Sequence, residues 1–477
     1  MISKETYENP LVERYASKEM LKIFSPLNKY TIWHKLWLCL AQTQKELGLS
    51  ISDEQIAEME NNLGKIDFEK VAFYEKKTRH EVMAHIQAWG EVCPKARPII
   101  HLGATSAFVM DNGDLIQMAQ GLKFLRTRLV ALLKVMADFA KKYHDLPALG
   151  YTHFQPAQLT TVGKRAALWI YDFILDFEDL ENRITNLKLR GVKGTVGTQD
   201  SFMKLFDNNE EKVKLLDKNL SQKMGFLDSI PVSGQTYTRK IDYLVLTALS
   251  NLAQSAHKIG TDIRLLQGMQ ELEEPFESSQ IGSSAMPYKR NPMRSERVCS
   301  LSRMVMQWVA LAGENHGVQW LERSLDDSAN RRMLIPEVFL ATDAFLSILT
   351  NIFSGLQVYP KVIEKRIQEN LPFLSAEYVM MESVKKGADR QDVHEAFREL
   401  AMQAVKEIKE EGKTPNLIQH IAQSSRFPLD KEEVLKVLDS FQMVGRASGQ
   451  TLELLKEWVE PILKKYPEKI EPLELKV

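Results

Sequence analysis

Five stretches of this chain repeat apolar residues at three- and four-residue steps for much longer than an ordinary helix lasts. That periodicity restricts the fold to one built from long, packed helices. The stretches cover approximately residues 114–143, 157–190, 236–271, 293–315 and 331–356. In the first, Leu122, Leu125, Leu129, Leu132, Leu133 and Met136 share a face; in the third, Ile241, Leu244, Leu249, Leu252, Ile259 and Ile263 do. Each would span roughly 35–50 Å at ~1.5 Å per residue, against a mean helix of ~11–12 residues. A kink is expected where Ile335-Pro336 interrupts the last one. Strands are nearly absent: "GVKGTVGTQ" and "IPVSGQTYT" read as short extended links at most.

The chain's 477 residues exceed one ordinary core. The expected architecture is all-α with three helical domains: a small one over residues 1–105, a central long-helix bundle over 106–358, and a C-terminal cap over 359–477. Helices with this much apolar surface bury it best against other chains, so a homo-oligomer is expected. Lysine and arginine total 62 against 63 acidic residues, a balance unlike that of a nucleic-acid binder. Cys39, Cys93 and Cys299 are widely spaced, which suits a reducing compartment and neither a disulfide framework nor a zinc site. The N-terminus lacks a signal-peptide apolar core, and no later apolar run is expected to escape charge for ~18 residues. A cytoplasmic protein with no membrane partner is the expectation.

Polar clusters fall at the ends of the long helices. "TRHEVMAH" supplies Arg79, His80 and Glu81, read either as a solvated helix face or as site residues. "HLGATSAF" sets Thr105 and Ser106 just before the first long helix. They cap it, or hold a carboxylate with the free N–H groups of the helix start, or both. "YTHFQPAQ" puts His153 at the entrance of the second helix, and "SGQTYTRK" puts Gln235 at the start of the third. "WLERSLDDSANRR" groups Arg323, Ser328, Arg331 and Arg332. That cluster is a charged turn capped by Asp327 or Ser328, or a phosphate pocket, since a guanidinium fork matches phosphate oxygens. "IGSSAMPYKRNPMRSER" is a flexible, cationic loop carrying Lys289 and Asn291. It is an ordinary connection, or a lid over an anionic substrate. No P-loop, Rossmann glycine run, H-E-x-x-H or G-x-S-x-G motif is present, so ATP-driven, nicotinamide, zinc and acyl-serine chemistries lack their usual handles. Acid–base work on an anion, without cofactor or metal, is what remains.

The run from Gly282 to Pro292 matches every fixed position of G-S-S-x-M-P-x-K-x-N-P, and so resembles the loop of the fumarase/aspartase superfamily. Within it, "RYAS", "HLGATS", "THFQPAQLTTVGKR", "RGVKGTVGTQ", "SGQTYTRK" and "WLERSLDDSANRR" resemble the adenylosuccinate lyase family, in order, from residue 14 to 332. The resemblance implies β-elimination of fumarate from adenylosuccinate and from the succinylated carboxamide intermediate SAICAR, giving AMP and AICAR. It implies Ser283 as base, His153 as acid, and Glu296 as the carboxylate that orients His153. Lys289, Asn291, Thr105 and Ser106 would hold a substrate carboxylate. Arg14, Tyr15, Arg323, Ser328 and Arg332 would take the nucleotide and its phosphate, with Arg79, His80, Glu81, Gln235 and Arg297 completing the pocket. Animal relatives commonly have Asp where Glu81 stands. It further implies a homotetramer whose sites draw loops from three chains. Two other readings stand beside it. An argininosuccinate lyase-like enzyme would have no use for the arginine cluster, and a silent structural homologue would have no use for His153, Ser283 and Lys289.

Overall fold

A computed structural model of the chain describes residues 5–277, 280–281, 284–413, 417–437 and 442–467. Ser283 and Gly282 therefore lie outside the described residues. The architecture is all-α, with two two-stranded ribbons among the described residues. Three helices of the N-terminal part matter for the site: α1 (Pro26–Glu46), α2 (Phe68–Thr78) and α3 (Glu81–Val92). The long helix α4 (Ser106–Lys142) follows, then an antiparallel hairpin of β1 (Pro147–Thr152) and β2 (Gln155–Thr161). The bundle is completed by α5 (Val162–Asn186), α6 (Lys240–Gly268), α7 (Met293–Gly317) and α8 (Ser328–Gly355).

The apolar stripes pack as their spacing requires. Leu122, Leu125, Leu129, Leu132, Leu133 and Met136 of α4 are fully buried, as are Leu249, Leu252, Ile259 and Ile263 of α6. Ile241 and Leu244, near the start of α6, are only half-buried. A buried ion pair ties α4 to α8, Arg128 Nε standing 3.1 Å from Asp343 Oδ1. The other oxygen of Asp343 accepts the Ser17 N–H at 2.8 Å, which fastens the N-terminal segment to the same point. A separate apolar cluster, including Val379, Val393, Phe397, Leu417 and Val434, forms the cap. The last helices return to the bundle, where the Arg126 guanidinium lies 4.3 Å from the Tyr466 ring centre.

Two departures from the sequence reading have physical causes. The stretch expected as helix from residue 157 begins as β2, and helix starts only at Val162. Its return is tightly fitted: a Cβ on Gly163 would meet Ala140 O and His144 Cα at 2.5 Å each. Second, α4 begins eight residues earlier than its apolar pattern, because Asp111, Asn112, Gly113 and Asp114 interrupt that pattern while remaining helical. Pro336 lies inside α8, as expected, and removes only the donor that would reach the Arg332 carbonyl. Among the described residues α8 is long and apolar enough to cross a membrane, although Glu337 and Asp343 interrupt its apolar run, in keeping with the charge spacing expected. Within the chain 78% of its apolar window is buried, so α8 is accounted for as the bundle's central core helix.

Between α5 and α6, Asp176 is buried and its Oδ2 has no hydrogen-bond partner. Burial raises its carboxyl to about 7, Ser255 pulls the other way, and Asp172 and Asp179, one turn to either side, add to the rise. On α6, Asn251 reaches Asp179 at 3.3 Å and Lys258 stands 3.4 Å from Asp172, so neither cation nor amide serves Asp176. A folded value above the ~3.9 of a free aspartate means the folded chain keeps a proton that the unfolded chain releases. Stability is therefore lost as pH rises from ~4 towards about 7. Asp176→Asn is expected to raise Tm at pH 8 clearly more than at pH 5. A gain equal at both values would trace to packing instead.

Candidate active site

The starts of α3, α4 and α8 converge on one cavity of about 730 Å³. Arg79, His80, Glu81, Thr105 and Ser106 line one side of it, and Gln235, Arg323, Ser328 and Arg332 the other. Nine residues scattered over 254 positions of sequence are thus brought together.

Local conformation aims each of them. Arg79 closes α2 in the left-handed region, φ 54°, and so turns the chain sharply into α3. His80 then caps α3: its Nδ1 accepts the Met83 N–H at 3.3 Å. An accepting Nδ1 puts the proton of the neutral ring on Nε2, which stands 3.3 Å from Ser106 Oγ and donates to it. Thr105 is the N-cap of α4 but its side chain makes no capping bond, so the hydroxyl stays available to a ligand beside the helix's unpaired N–H groups.

Glu81 is no solvated helix face. Its side chain is 14% exposed and receives Lys29 Nζ at 2.8 Å, Tyr30 Oη at 3.0 Å and Arg332 Nη2 at 2.9 Å. Burial works against its charge, but Lys29 and Arg332 outweigh it and hold the carboxyl down at about 2. Burial, with Glu81 adding to it, pushes the Tyr30 hydroxyl well above its usual range, so it remains a donor.

The arginine cluster divides into floor and rim. Asp327 starts α8, yet its carboxylate is spent on arginines, accepting Arg239 Nε at 2.5 Å and Arg323 Nη1 at 2.8 Å. Arg331 is buried and held by Asp242 Oδ2 at 2.7 Å, Tyr237 Oη at 2.7 Å and Asp114 Oδ2 at 3.1 Å. Arg332 is different: its side chain is 55% exposed and reaches across the cavity mouth to Glu81. A ligand phosphate would therefore compete with one carboxylate for Arg332, whereas Arg331 stays in the floor. Lys29, Asp111, Asp114 and Arg239 also line the cavity and escaped the sequence reading. The signal for two of them was available, since Asp111 and Asp114 stand on the inward face of an otherwise apolar helix.

The remaining residues singled out above lie elsewhere in the chain. Arg14 and Tyr15 form a short π-helical turn, Leu11–Tyr15, beside α8, where Asn9 Nδ2 donates to Glu337 Oε1 at 2.9 Å. His153 is not at a helix entrance but at the tip of the β1–β2 hairpin. His153 and Phe154 both take left-handed backbone, φ 50° and 59°, which is the two-residue turn that suits the twist of a hairpin. Neither is a glycine or asparagine, so the turn stores strain, a feature that gathers at functional positions. His153 is exposed. Lys289, Asn291, Glu296 and Arg297 surround the start of α7, with Lys289 and Glu296 exposed. The far end of α7 approaches the cavity side, Asn315 Nδ2 donating to Asn330 Oδ1 of α8 at 2.7 Å.

The separations decide what one chain can assemble. Ser106 opens α4, and 37 residues of helix put ~55 Å between it and the end of α4 from which the chain leads into the His153 hairpin. The 25 residues of α7 likewise set the Lys289 loop ~37 Å from the arginine cluster. A single chain holds the cavity at one pole and His153 and Lys289 towards the other.

The family model described as Lyase matches residues 29–307, and that of the adenylosuccinate lyase C-terminus matches residues 372–453. The fold agrees. The fumarate lyase from Mesorhizobium sp. BNC1 superposes with a TM-score of 0.80 over 95% of this chain and 100% of that one, at 20% identity. The 3-carboxy-cis,cis-muconate lactonizing enzyme from Pseudomonas putida gives 0.81 over 96% and 99%, at 22% identity. Fold and family match together define a lyase of the fumarase/aspartase superfamily. Sequence narrows this further: the chain is 48% identical to the adenylosuccinate lyase of Saccharomyces cerevisiae over 99% of both, and 48% identical to that of Schistosoma mansoni over 97% of both. The chain belongs to the adenylosuccinate lyase family.

Proposed function

We propose that this chain eliminates fumarate from adenylosuccinate, leaving AMP, and from SAICAR, leaving AICAR. The observation that carries the reading is a cavity with hydroxyls and a helix N-terminus at one end and guanidinium groups at the other. Thr105 and Ser106 suit a carboxylate; Arg323, Ser328 and Arg332, with Arg14 and Tyr15 beyond them, suit a phosphate. Arg79, His80, Glu81 and Gln235 complete the pocket, His80 bonding Ser106 and Glu81 bonding Arg332. An argininosuccinate-type substrate would leave the arginine end unused.

The chemistry asks for more than the cavity contains. A carbon-bound proton beside a carboxylate is weakly acidic, so its removal needs a base and stabilisation of the charge that builds on that carboxylate. The amine leaves readily only when protonated. Ser283 is the base, His153 the acid, and Glu296 orients and charges His153. Lys289 and Asn291, with Arg297 behind them, hold the carboxylate. Since His153 and Lys289 lie at the other pole of their own chain, they act on the cavity of neighbouring chains in a homotetramer. Exposed Leu168, Tyr171 and Leu175 along α5, and Trp320, Leu321 and Leu325 beside the cavity, support burial against further copies. The enzyme works in the cytoplasm and requires no cofactor. Adding adenylosuccinate and following fumarate and AMP together tests the reading, and no release of either would sink it.

Arg332 offers a finer test of the phosphate end. Arg332→Ala is expected to weaken AMP inhibition by about tenfold or more, the size of a lost charge-assisted contact. Inhibition by adenosine and by fumarate should change little. Equal losses for AMP and adenosine would show that Arg332 does not meet the phosphate.

A further inference from the structure

We infer that Asp114 reads the sugar of the substrate, its carboxylate accepting hydrogen bonds from the vicinal hydroxyls of a ribose. The inference rests on the function proposed above and adds to it a specificity-determining residue.

Three carboxylates line the cavity, and two are satisfied by the chain itself. Glu81 receives Lys29, Tyr30 and Arg332. Asp111 is 4% exposed and takes the Tyr237 N–H at 2.7 Å and Arg239 Nη2 at 3.3 Å. Asp114 stands apart. Its side chain is 29% exposed, and among the described residues its ion pair is with Arg331, through Oδ2 at 3.1 Å. A carboxylate has about four acceptor positions over two oxygens, so acceptor capacity remains on the cavity side. Burial raises its carboxyl and Arg331 pulls it down, so charge there is costly until further donors arrive.

A carboxylate with acceptor capacity left over in an anion pocket repels what the pocket is built to hold. It is tolerated where the ligand presents neutral donors. A purine nucleotide presents two kinds, the ribose hydroxyls and N–H groups of the base, and position chooses between them. Ser106, Met110, Asp114 and Gln117 form one stripe of α4 facing the cavity. Asp114 lies two turns beyond Ser106, ~12 Å along the axis. It is paired directly, at 3.1 Å, with Arg331, whose sequence neighbour Arg332 is the proposed phosphate residue. A succinyl group held at Thr105 and Ser106 places the base next and the ribose on the order of 10 Å away, with typical bond lengths of ~1.3–1.5 Å. The hydroxyls then fall beside Asp114, short of the phosphate.

The experiment compares inhibition by AMP and by 2′,3′-dideoxy-AMP in the intact enzyme while it turns over adenylosuccinate. The wild type should prefer AMP by about tenfold or more, as expected for hydrogen bonds to a charged acceptor. Asp114→Ala should bring the preference close to one by weakening AMP and leaving the dideoxy ligand nearly unchanged. Asp114→Asn, which keeps the shape and one acceptor, should reduce the preference by at least about threefold and decides the matter if the alanine variant does not fold. A role confined to orienting Arg331 would weaken both ligands alike, and a contact to the base would do the same. A preference unchanged in either folded variant, or absent from the wild type, overturns the inference while leaving the proposed reaction intact. Failure of the wild type to consume adenylosuccinate overturns both.

Discussion

Replacing Ser283 with alanine is expected to abolish turnover, lowering kcat by about 10²–10⁴-fold, the usual contribution of a positioned base. Binding of adenylosuccinate should stay within about tenfold, or ~1.4 kcal/mol. The two effects separate because the hydroxyl acts on a C–H bond, which offers almost no affinity in the ground state. A serine hydroxyl is a poor base at its ordinary pKa. Its use becomes reasonable where the surrounding loop supplies N–H donors and Lys289 lowers the cost of the alkoxide. The measurement is a single-turnover rate for fumarate release beside an equilibrium binding titration. A variant that keeps more than a few per cent of the wild-type kcat would assign the base to another residue. A variant that loses binding and rate in equal proportion would make Ser283 a binding group instead.

The cavity explains why binding and chemistry can be divided in this way. Its cations are largely balanced by the chain's own carboxylates, Arg331 by Asp242 and Asp114, Arg239 by Asp327 and Asp111. These pairs are buried, and breaking one by removing a single partner costs much more than the pair contributes. They hold the starts of α4, α6 and α8 in register. The groups left to meet ligand stand on the rim: Arg332, the Thr105 and Ser106 hydroxyls, and the open side of Asp114. The floor is thus fixed by its own ion pairs, while a ligand anion at the rim would have to draw Arg332 away from Glu81.

Much of this was legible from residue order, and the misses have a common cause. The five long helices were visible because their buried stripes hold little but apolar residues. The start of α4 was hidden where Asp111 and Asn112 are buried for the sake of the site and its scaffold, Asn112 accepting the Gly191 N–H at 3.0 Å. The hairpin was hidden because its turn lacks the glycine or asparagine that normally marks one; His153 and Phe154 occupy left-handed backbone instead. Local pattern left Glu81 open between a solvated face and a site residue because its partners Lys29, Tyr30 and Arg332 are 52, 51 and 251 positions away. Local pattern reports on local packing. Polar residues serving a site are placed by distant contacts, so they look like interruptions of the pattern or like surface.

The separation of the two poles leads to the second large effect, restoration of activity by mixing two dead proteins. On the proposed roles, His153→Ala removes the acid at the hairpin tip and Ser283→Ala removes the base. If each site takes loops from three chains, these two residues reach a given cavity from different subunits. Parents alone then have no complete site. When tetramers are dissociated together and allowed to reassemble, random assortment in a one-to-one mixture gives about a quarter of the sites both native residues. Activity should rise from near zero towards that fraction, and the parents treated identically should stay inactive. A second mixture, His153→Ala with Arg323→Ala, draws on the length of α4, whose ~55 Å lies between the cavity and the segment that leads into the hairpin. It should also gain activity. Subunit exchange is followed independently by a mass tag on one parent. Verified exchange with no gain in the first mixture but a gain in the second would put His153 and Ser283 in one chain, facing a neighbour's cavity. Verified exchange with no gain in either would overturn the shared site.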